Sequence, residues 1–427
     1  MWSEYLRSVE KSQTLLLNEQ SRTLENTGQE VFKFGFGQSP FPPLGSATEA
    51  LRQHSGAKDY TPVQGLPELR QNVAAFHRAV DQIDVDADQV LIAPGSKILI
   101  YAVMAAFSKA DVLMSAPAWV SYAPQARLLG HAPIKVETTF DQRWRVTAEA
   151  LEQAVRTKAD PSVPSVLILN YPGNPDGLSY SDDELRALAA CFRKHNILVV
   201  SDEIYGLLHH QGEHVSLARH YPEGTIVTGG LSKWCGAGGW RLGVALLPKA
   251  LEGEFKDTLL GIASETYSCA SLPVQRAACQ AYQWNDETQG YLAHQRRLLA
   301  AIGGWMAQQL TRAGLKVHAP VGGFYLFPDF SNLAANLSSA DVHTSSALCE
   351  RLLADTGVAL LPGDAFGMAP EHLCARLAYV EFDGQEALKA SREIGLSNPL
   401  DDNALQAIFA KTIRGTHKLT RWASTFA

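Results

Sequence analysis

The sequence predicts an α/β protein with a mostly parallel sheet covered by helices on both faces, together with a smaller α+β unit. From about residue 30 to residue 300, short apolar runs alternate with longer amphipathic stretches. The runs lack period-two alternation of apolar and polar residues, as expected for strands that are buried on both faces. Beyond about residue 305, strand-like segments surround one helix, and this change of pattern predicts the second unit.

The individual elements follow in chain order. Residues 1–30 are polar and predict a helix with one aliphatic patch at residues 15–17, and the glycines and prolines of VFKFGFGQSPFPPLG predict a connecting loop. Six predicted strands are rich in Val, Ile and Leu and end at a turn or proline: QVLIAP, DVLMSAP, SVLILNYP, ILVVSDEIY, TIVTGG and GVALLP. The helical pattern SDDELRALAACFRKHN begins with Ser181 and Glu184, which predict a capping box.

The C-terminal part contains the predicted strands LKVHAPVGGFYLFPDF and CARLAYVEF and the predicted helix SSALCERLLADTG. We therefore expect an N-terminal arm at residues 1–50 that joins the small domain, a large domain at 51–304 and a small C-terminal domain at 305–427. We find no internal repeat that would indicate a solenoid.

Composition and charge narrow the classes of function. The 427 residues carry a formal net charge of −7 without a run of Lys or Arg, so the electrostatic pattern of a nucleic-acid-binding protein is missing. No apolar run reaches the ~18–20 residues of a membrane span, and the N-terminus lacks a signal-peptide pattern. The six cysteines form no CxxC pair, which is typical of reduced thiols. We expect a cytoplasmic protein without a metal site that binds neither nucleic acid nor membrane.

Several predicted strands end in polar groups, at the edge of the sheet where open α/β proteins bind their ligands. These groups are Gly95, Ser96 and Lys97 in LIAPGSK, Asn174 in LILNYPGNPDG, Asp202 and Tyr205 in LVVSDEIY, and Ser232 and Lys233 in IVTGGLSK. Each motif alone has an ordinary interpretation as a turn or a helix cap. Only the whole set predicts a ligand site.

The set fits a cofactor that carries a phosphate, a ring nitrogen to be kept protonated and an aldehyde. The helix N-terminus after Gly95 and the guanidinium of Arg241 would hold the phosphate. Asp202 would keep the ring nitrogen cationic, and Tyr205 would donate to the phenolic oxygen together with the amide of the NPDG turn. Lys233 would form a Schiff base with the aldehyde.

The order of the motifs resembles that of a known family. YTPVQGLPELR, PGSK, PAWVSY, NYPGNPDG, SDEIY, LSKWCGAGGWRLG and RLAYV follow one another between residues 60 and 380. The chain is identified on these motifs as a member of the class I/II aminotransferases, pyridoxal 5′-phosphate enzymes of fold type I related to aspartate aminotransferase. The resemblance implies a mostly parallel sheet of the seven-stranded type, transamination between an α-amino acid and a 2-oxo acid, and catalytic roles for Lys233, Asp202 and Tyr205.

The resemblance also implies roles for residues outside that set. Trp119 would lie over the cofactor ring, and Tyr60 would reach the phosphate of the neighbouring subunit in a homodimer with shared active sites. Gly37 and Asn174 would lie near the substrate carboxylate, which Arg376 would clamp with its planar fork.

One position departs from the family pattern. Where the family usually carries a serine or threonine as a phosphate ligand, this chain has Gly230. We expect a serine at this position to restore a phosphate contact, provided that the backbone geometry permits it.

Other functions compatible with the motifs stay open at this point. Carbon–sulfur β-lyases and aminocyclopropane-carboxylate synthases resemble the family as closely and partition the same carbanion differently. A non-catalytic regulator with this fold is disfavoured because no core lysine, aspartate or arginine is missing. A nicotinamide oxidoreductase is disfavoured because no GxGxxG follows a strand.

The substrate side chain is the least constrained part of the prediction. Dicarboxylate-specific members often place an arginine in the segment that aligns with ASETYSCAS, where this chain has Ser264, Glu265 and Tyr267. We interpret Glu265 as a solvated or capping carboxylate. Many aromatic residues suggest a neutral or aromatic substrate side chain, namely Phe32, Phe34, Phe36, Phe41, Phe324 and Tyr325.

Overall fold

The structure, a computed structural model, describes Leu6 and residues 13–427, without the side chains of residues 14 and 15. The N-terminal helix is present from Gln13 onward, and the part of that prediction before it lies outside the described residues. The α-helices are α1 (Gln13–Asn26), α2 (Gly45–His54), α3 (Pro67–Val80), α4 (Ser96–Ala105), α5 (Tyr122–Leu128), α6 (Ala148–Arg156), α7 (Asp182–His195), α8 (Glu254–Thr266), α9 (Leu272–Ala281), α10 (Asp286–Arg312), α11 (Ala334–Ser339), α12 (Ser345–Thr356), α13 (Gly384–Ile394), α14 (Asp402–Ile408) and α15 (Ala410–Ser424).

The main sheet has seven strands in the spatial order β1-β7-β6-β5-β4-β2-β3. All neighbouring pairs are parallel except those of β7, which runs antiparallel to both β1 and β6. The strands are β1 (Val90–Ala93), β2 (Asp111–Ala116), β3 (Ala132–Glu137), β4 (Ser165–Asn170), β5 (Leu198–Asp202), β6 (Thr225–Gly230) and β7 (Gly243–Leu246). The six predicted strands are confirmed, and β3 is the one that the sequence did not indicate.

Helices cover both faces of this sheet. Along β5, Val199 packs in one apolar cluster with Phe192 of α7, whereas Val200 packs in another with Val103 of α4. Successive side chains of a strand point to opposite faces, so a strand with apolar residues at both positions needs a cover on each side. The continuous apolar runs of the sequence have this physical origin.

The helix α7 shows how local sequence places the strand that follows it. The side chain of Ser181 accepts a hydrogen bond from the backbone N–H of Glu184, and the Glu184 carboxylate accepts one from the backbone of Ser181 at 2.7 Å. The predicted capping box is therefore confirmed. Acidic residues fill the first turn of α7 and basic residues fill its last turn, which suits the helix dipole. The helix leads directly into β5 and its terminal Asp202.

A second, three-stranded sheet has the order β8-β10-β9, with β8 (Tyr325–Leu326), β9 (Leu361–Pro362) and β10 (Ala375–Ala378). Both ends of the chain meet there: Phe32 bridges to Val358, and the N–H of Ala378 donates to the carbonyl oxygen of Phe34 at 2.6 Å. The division into domains stays a prediction. Its boundary at 304/305 falls inside the continuous helix α10, so both units would share this helix.

Within the described part of the chain, none of the helices combines the length and the apolar character that crossing a membrane requires.

Candidate active site

The candidate site lies where the parallel strands β4, β5 and β6 end. Asn170 at the end of β4 pairs with Asp202, and Asp202 pairs with Thr228 of β6. The loop after β6 continues to Lys233, and α4 begins just after β1 at Ser96. Because the carboxyl ends of parallel strands meet at one edge, groups that lie far apart in sequence converge here, as predicted.

Asp202 is 4% exposed and is held by two hydroxyl groups. The hydroxyl of Tyr122 donates to Oδ2 at 2.6 Å, and Thr228 Oγ1 donates to Oδ1 at 3.4 Å. Burial raises the pKa of Asp202 to about 6, although these hydrogen bonds oppose the shift. A buried carboxyl group with a raised pKa is stabilised in its ionised form by a nearby cation, which a protonated ring nitrogen would provide.

Asn170 connects Asp202 to the NPDG turn. Its Nδ2 donates to the backbone carbonyl oxygen of Asp202 at 2.7 Å, and its Oδ1 accepts from the backbone N–H of Asn174 at 2.8 Å. This side chain therefore sets the position of two predicted site residues.

Lys233 faces the N-terminal loop. Its Nζ donates to the carbonyl oxygen of Gly37 at 2.9 Å and lies 5.6 Å from the ring centres of Tyr205 and Phe324. The loop can approach this closely only at a glycine, because a Cβ on Gly37 would lie 2.1 Å from the hydroxyl oxygen of Tyr325.

Arg376 on β10 is buried beside the N-terminal loop that Lys233 contacts. Its Nη1 donates to Oδ1 of Asn174 at 3.0 Å and its Nη2 donates to the carbonyl oxygen of Gly35 at 2.6 Å. Its guanidinium carbon lies 4.7 Å from the ring centre of Tyr325 and 5.1 Å from that of Phe366. Burial lowers the pKa of Arg376, and its buried Nε has no hydrogen-bond partner among the described residues. The guanidinium is thus a buried cation with one N–H that no described residue satisfies.

Tyr205 is fully inside the site. Its hydroxyl oxygen lies 2.8 Å from the hydroxyl oxygen of Tyr325, and the two rings are 5.5 Å apart in an edge-to-face arrangement. Burial, together with Tyr325, raises the pKa of Tyr205 well above its usual value. Tyr205 therefore stays protonated and able to donate a hydrogen bond.

An anion pocket forms where α4 begins. The Nη1 of Arg241 donates to the carbonyl oxygen of Gly238 at 2.9 Å, and its guanidinium passes over Gly95, where a Cβ would lie 2.2 Å from Nη2. Gly95 has a φ of +97°, and this backbone conformation favours glycine. The backbone N–H groups of Ser96 and Lys97 open the helix, which favours an anion beside Arg241.

Lys97 adds a further cation to this pocket. Its Nζ lies 4.8 Å from the ring centre of Trp119, a cation–π contact. Partial burial, with the charges of Arg241 and Lys233 nearby, lowers the pKa of Lys97. Trp119 itself is half-buried and packs edge-to-face on Tyr122 at 5.3 Å.

The expectation for Gly230 is corrected by the backbone. Gly230 has a φ of +154°, and a Cβ there would lie 2.5 Å from the carbonyl oxygen of Leu242 and 2.9 Å from the Cα of Gly243. Real Cβ atoms do not approach backbone atoms this closely, so a serine hydroxyl cannot be added without moving β6 or β7. The glycine is required by strand packing.

The remaining predicted residues lie as follows. Ser232 is half-buried next to Lys233. Tyr60 is 89% exposed in the single chain. Glu265 near the end of α8 is exposed and accepts a hydrogen bond from Ser264 at 3.2 Å.

Sequence reasoning missed three residues that contact the site: Tyr122, Asn170 and Gly35. The only available signals were that Tyr122 lies three residues after Trp119 and that Asn170 ends a strand.

The donor set fits pyridoxal phosphate. The buried carboxyl of Asp202 suits a protonated ring nitrogen, and the start of α4 with Arg241 suits a phosphate. Lys233 presents a primary amine beside the ring of Tyr205, and the buried guanidinium of Arg376 suits a substrate carboxylate. Each requirement of the cofactor therefore meets a group of matching chemistry.

Comparison with known proteins agrees with this chemistry. The profile of aminotransferase class I and II matches residues 29–383. The chain is 33% identical to an aspartate aminotransferase of Geobacillus stearothermophilus over 387 residues, 87% of this chain and 92% of that protein. It is 31% identical to an asparagine–oxo-acid transaminase of Streptococcus mutans over 388 residues, 88% of this chain and 94% of that protein.

A solved structure shows the same architecture. The aspartate aminotransferase from Thermus thermophilus with maleate superposes with a TM-score of 0.81 at 26% identity, over 97% of this chain and 100% of that one. The fold, the matched family and the relatives lead to one conclusion. The chain belongs to the class I and II aminotransferases and is a pyridoxal-phosphate-dependent enzyme that transfers an amino group from an α-amino acid to a 2-oxo acid.

Proposed function

We propose that Lys233 is the lysine that attaches the cofactor and moves the substrate proton, with Asp202 and Tyr205 as the other catalytic residues. Bound pyridoxal phosphate supplies an aldehyde that captures the substrate amine and a ring that withdraws electrons from the α-carbon. The amine of Lys233 would take the proton from the substrate α-carbon as a general base and deliver it, as a general acid, to the carbon that the cofactor aldehyde contributes. Asp202 holds the proton on the ring nitrogen, and Tyr205 donates to the phenolic oxygen.

Arg376 binds the substrate carboxylate in this proposal, with Asn174 and Gly37 beside it. The observation that carries the assignment is that two cationic side chains donate hydrogen bonds to the same loop. Lys233 Nζ binds the carbonyl oxygen of Gly37, and Arg376 binds that of Gly35, two residues away. The two cations therefore contact the same loop two residues apart, which places a group for the amino side and a group for the carboxylate of one substrate in the same cleft.

The phosphate is assigned to Ser232, Arg241 and the backbone at the start of α4, from Gly95 through Ser96 and Lys97, with Trp119 over the ring. The side-chain ammonium of Lys97 lies over the Trp119 ring and is not assigned to the phosphate. Reduction of the holoenzyme with borohydride and peptide mapping tests the central assignment. We expect a pyridoxyl group on Lys233. Lys233→Ala should bind the cofactor and lose turnover by several orders of magnitude, and a label on another lysine would contradict the proposal.

We propose that the enzyme accepts an acidic amino acid or its oxo acid. The site holds four cationic side chains, Lys97, Lys233, Arg241 and Arg376, against the single carboxylate of Asp202. After a phosphate pairs with Arg241 and an α-carboxylate pairs with Arg376, the ammonium of Lys97 still lacks an anion. A second carboxylate would supply it, and relatives of the chain are named aspartate aminotransferases.

A donor screen tests this substrate class. We expect aspartate to exceed phenylalanine in kcat/KM, and Lys97→Gln to lower the value for aspartate by about tenfold or more with little effect on phenylalanine. Lys389→Gln, an exposed lysine on α13, serves as the control. A preference for phenylalanine that is unaffected by Lys97→Gln would favour the neutral or aromatic pocket expected from the sequence.

We also propose a homodimer in which the partner subunit's Tyr60 completes each phosphate site. The exposure of the Tyr60 side chain supports this, because it leaves the phenol accessible to the phosphate site of a partner subunit. Mixing inactive Tyr60→Ala and Lys233→Ala chains should restore activity, since each hybrid dimer contains one intact site. Continued inactivity in proven hybrids would contradict shared sites.

A reducing, cytoplasmic location is our final proposal on function. All six cysteines are free thiols in the structure. Alkylation of the freshly purified, denatured protein without a reductant should label six thiols, and fewer labels would indicate disulfides.

A further inference from the structure

The hydroxyl of Tyr325 lies at a junction that the proposed function leaves without a role. Tyr325 belongs to β8 and is 1% exposed. Its hydroxyl oxygen is 2.8 Å from that of Tyr205 and 3.5 Å from the carbonyl oxygen of Gly37. Its ring lies against the guanidinium of Arg376. The Tyr325 side chain thus contacts Tyr205, the loop at Gly37 and Arg376.

The hydrogen-bond inventory decides the direction of the hydrogen bond between the two tyrosines. Each hydroxyl group has one hydrogen to donate. Tyr205 must keep its hydrogen for the phenolic oxygen of the cofactor, so Tyr205 can only accept from Tyr325. The other acceptor near Tyr325 is the carbonyl of Gly37, which is more distant and already accepts from Lys233 at 2.9 Å.

We propose that Tyr325 is a positioning residue that donates to the Tyr205 hydroxyl and thereby directs the Tyr205 hydrogen onto the phenolic oxygen of the cofactor. This inference rests on the proposed function and extends it to a residue from the small three-stranded sheet. Hydrogen bonds in a chain polarise one another, so the donor from Tyr325 makes Tyr205 a stronger donor. Tyr325 acts through Tyr205 and is not itself a catalytic residue.

The test is a pH titration of the visible absorbance of the holoenzyme. Tyr325→Phe removes the hydroxyl and keeps the ring against Arg376. A weaker donation from Tyr205 leaves more negative charge on the phenolic oxygen, which favours the protonated form of the nearby nitrogen of Lys233. The midpoint of the titration should therefore rise, by about 0.5–1 pH unit for one lost hydrogen bond.

A double-mutant cycle shows whether the effect passes through Tyr205. In a Tyr205→Phe background, the added Tyr325→Phe change should leave the midpoint unmoved. Tyr379→Phe is the matched control, because Tyr379 is also buried beside this sheet and its hydroxyl faces His210 and Gly323 instead. It should leave the wild-type midpoint unchanged.

The outcomes separate this inference from the function on which it rests. No shift in Tyr325→Phe, or the same shift with and without the Tyr205 hydroxyl, would overturn the positioning role. A wild-type protein that binds no pyridoxal phosphate would instead overturn the assignment of the site.

Discussion

The hydroxyl of Tyr122 lies 2.6 Å from Oδ2 of Asp202, and the two side chains are buried together although 80 residues separate them in sequence. Burial and the neighbouring carboxylate raise the pKa of Tyr122 well above its usual value, so this phenol remains a donor. The hydrogen bond favours the ionised form of Asp202 in surroundings that disfavour charge.

Removal of this donor should change the pH dependence of cofactor binding. We expect the affinity of the apoprotein for pyridoxal phosphate to fall as the pH drops through the Asp202 pKa of about 6, because the protonated carboxyl cannot pair with a cationic ring nitrogen. Tyr122→Phe raises this pKa further and should move the fall to higher pH. Equilibrium titrations at several pH values measure the shift, and Tyr180→Phe provides a half-buried tyrosine control away from Asp202. Identical profiles for Tyr122→Phe and wild type would contradict the role of this hydrogen bond.

Arg376→Lys should separate substrate binding from cofactor binding. Lysine keeps the charge but cannot reproduce the fork that now reaches Asn174 and Gly35. We expect kcat/KM to fall about a hundredfold for every amino donor, with the dissociation constant of the cofactor unchanged. Arg312→Lys, at the exposed end of α10, should change neither quantity. Release of the cofactor with unaltered substrate kinetics would place the carboxylate clamp elsewhere.

Gly230→Ser should destabilise the protein without tightening the cofactor. Its Cβ would lie 2.5 Å from the carbonyl oxygen of Leu242, and we expect an overpacking cost of about 1–3 kcal/mol. Gly229→Ser is the matched control, since a Cβ there meets only Val244 at 3.9 Å. Thermal denaturation of both variants measures the difference. Equal stabilities would show that the strands move apart easily.

The buried carboxyl of Asp176, which is not one of the proposed catalytic residues, should make the stability of the protein depend on pH. Burial raises its pKa to about 7, whereas the unfolded value is 3.8. The protonated Asp176 therefore contributes to the free energy of unfolding, fully below pH 3.8, and this contribution is lost as the pH rises through 7. Asp176→Asn keeps an acceptor for the N–H of Leu178, which now donates at 2.7 Å, and cannot ionise. The variant should therefore gain more in Tm over wild type at pH 8 than at pH 5. Asp141→Asn, an exposed acid, should show no such difference.

The sequence predicted the strands of the large sheet wherever burial leaves an apolar run. β3 escaped prediction because Pro133, Lys135 and Glu137 interrupt it, and only Val136 of that strand is fully buried. β9 escaped because two residues give no periodic signal. Edge strands and very short strands depend on tertiary pairing, which local composition does not encode.

Short motifs that carry the chemistry identified Lys233 and Arg376, and both side chains contact the loop at Gly35 and Gly37, while their roles stay predictions. Tyr122 and Tyr325 were not given their roles because each acts through a partner distant in sequence. Tyr325 had been counted only among the aromatic residues of the substrate pocket. The strain at Gly230 was also invisible, since it arises from the close passage of β7.

The helix α10 runs without a break for 27 residues across the proposed domain boundary, a rod of about 40 Å. Its residues Leu298, Ile302 and Met306 are buried on either side of that boundary. Proteases cut exposed, unfolded segments, and this connection offers none. Limited digestion of the native enzyme should therefore not release the two lobes as separate fragments, and expression of either lobe alone, cut at residue 304, would leave half of a helix without its apolar cover.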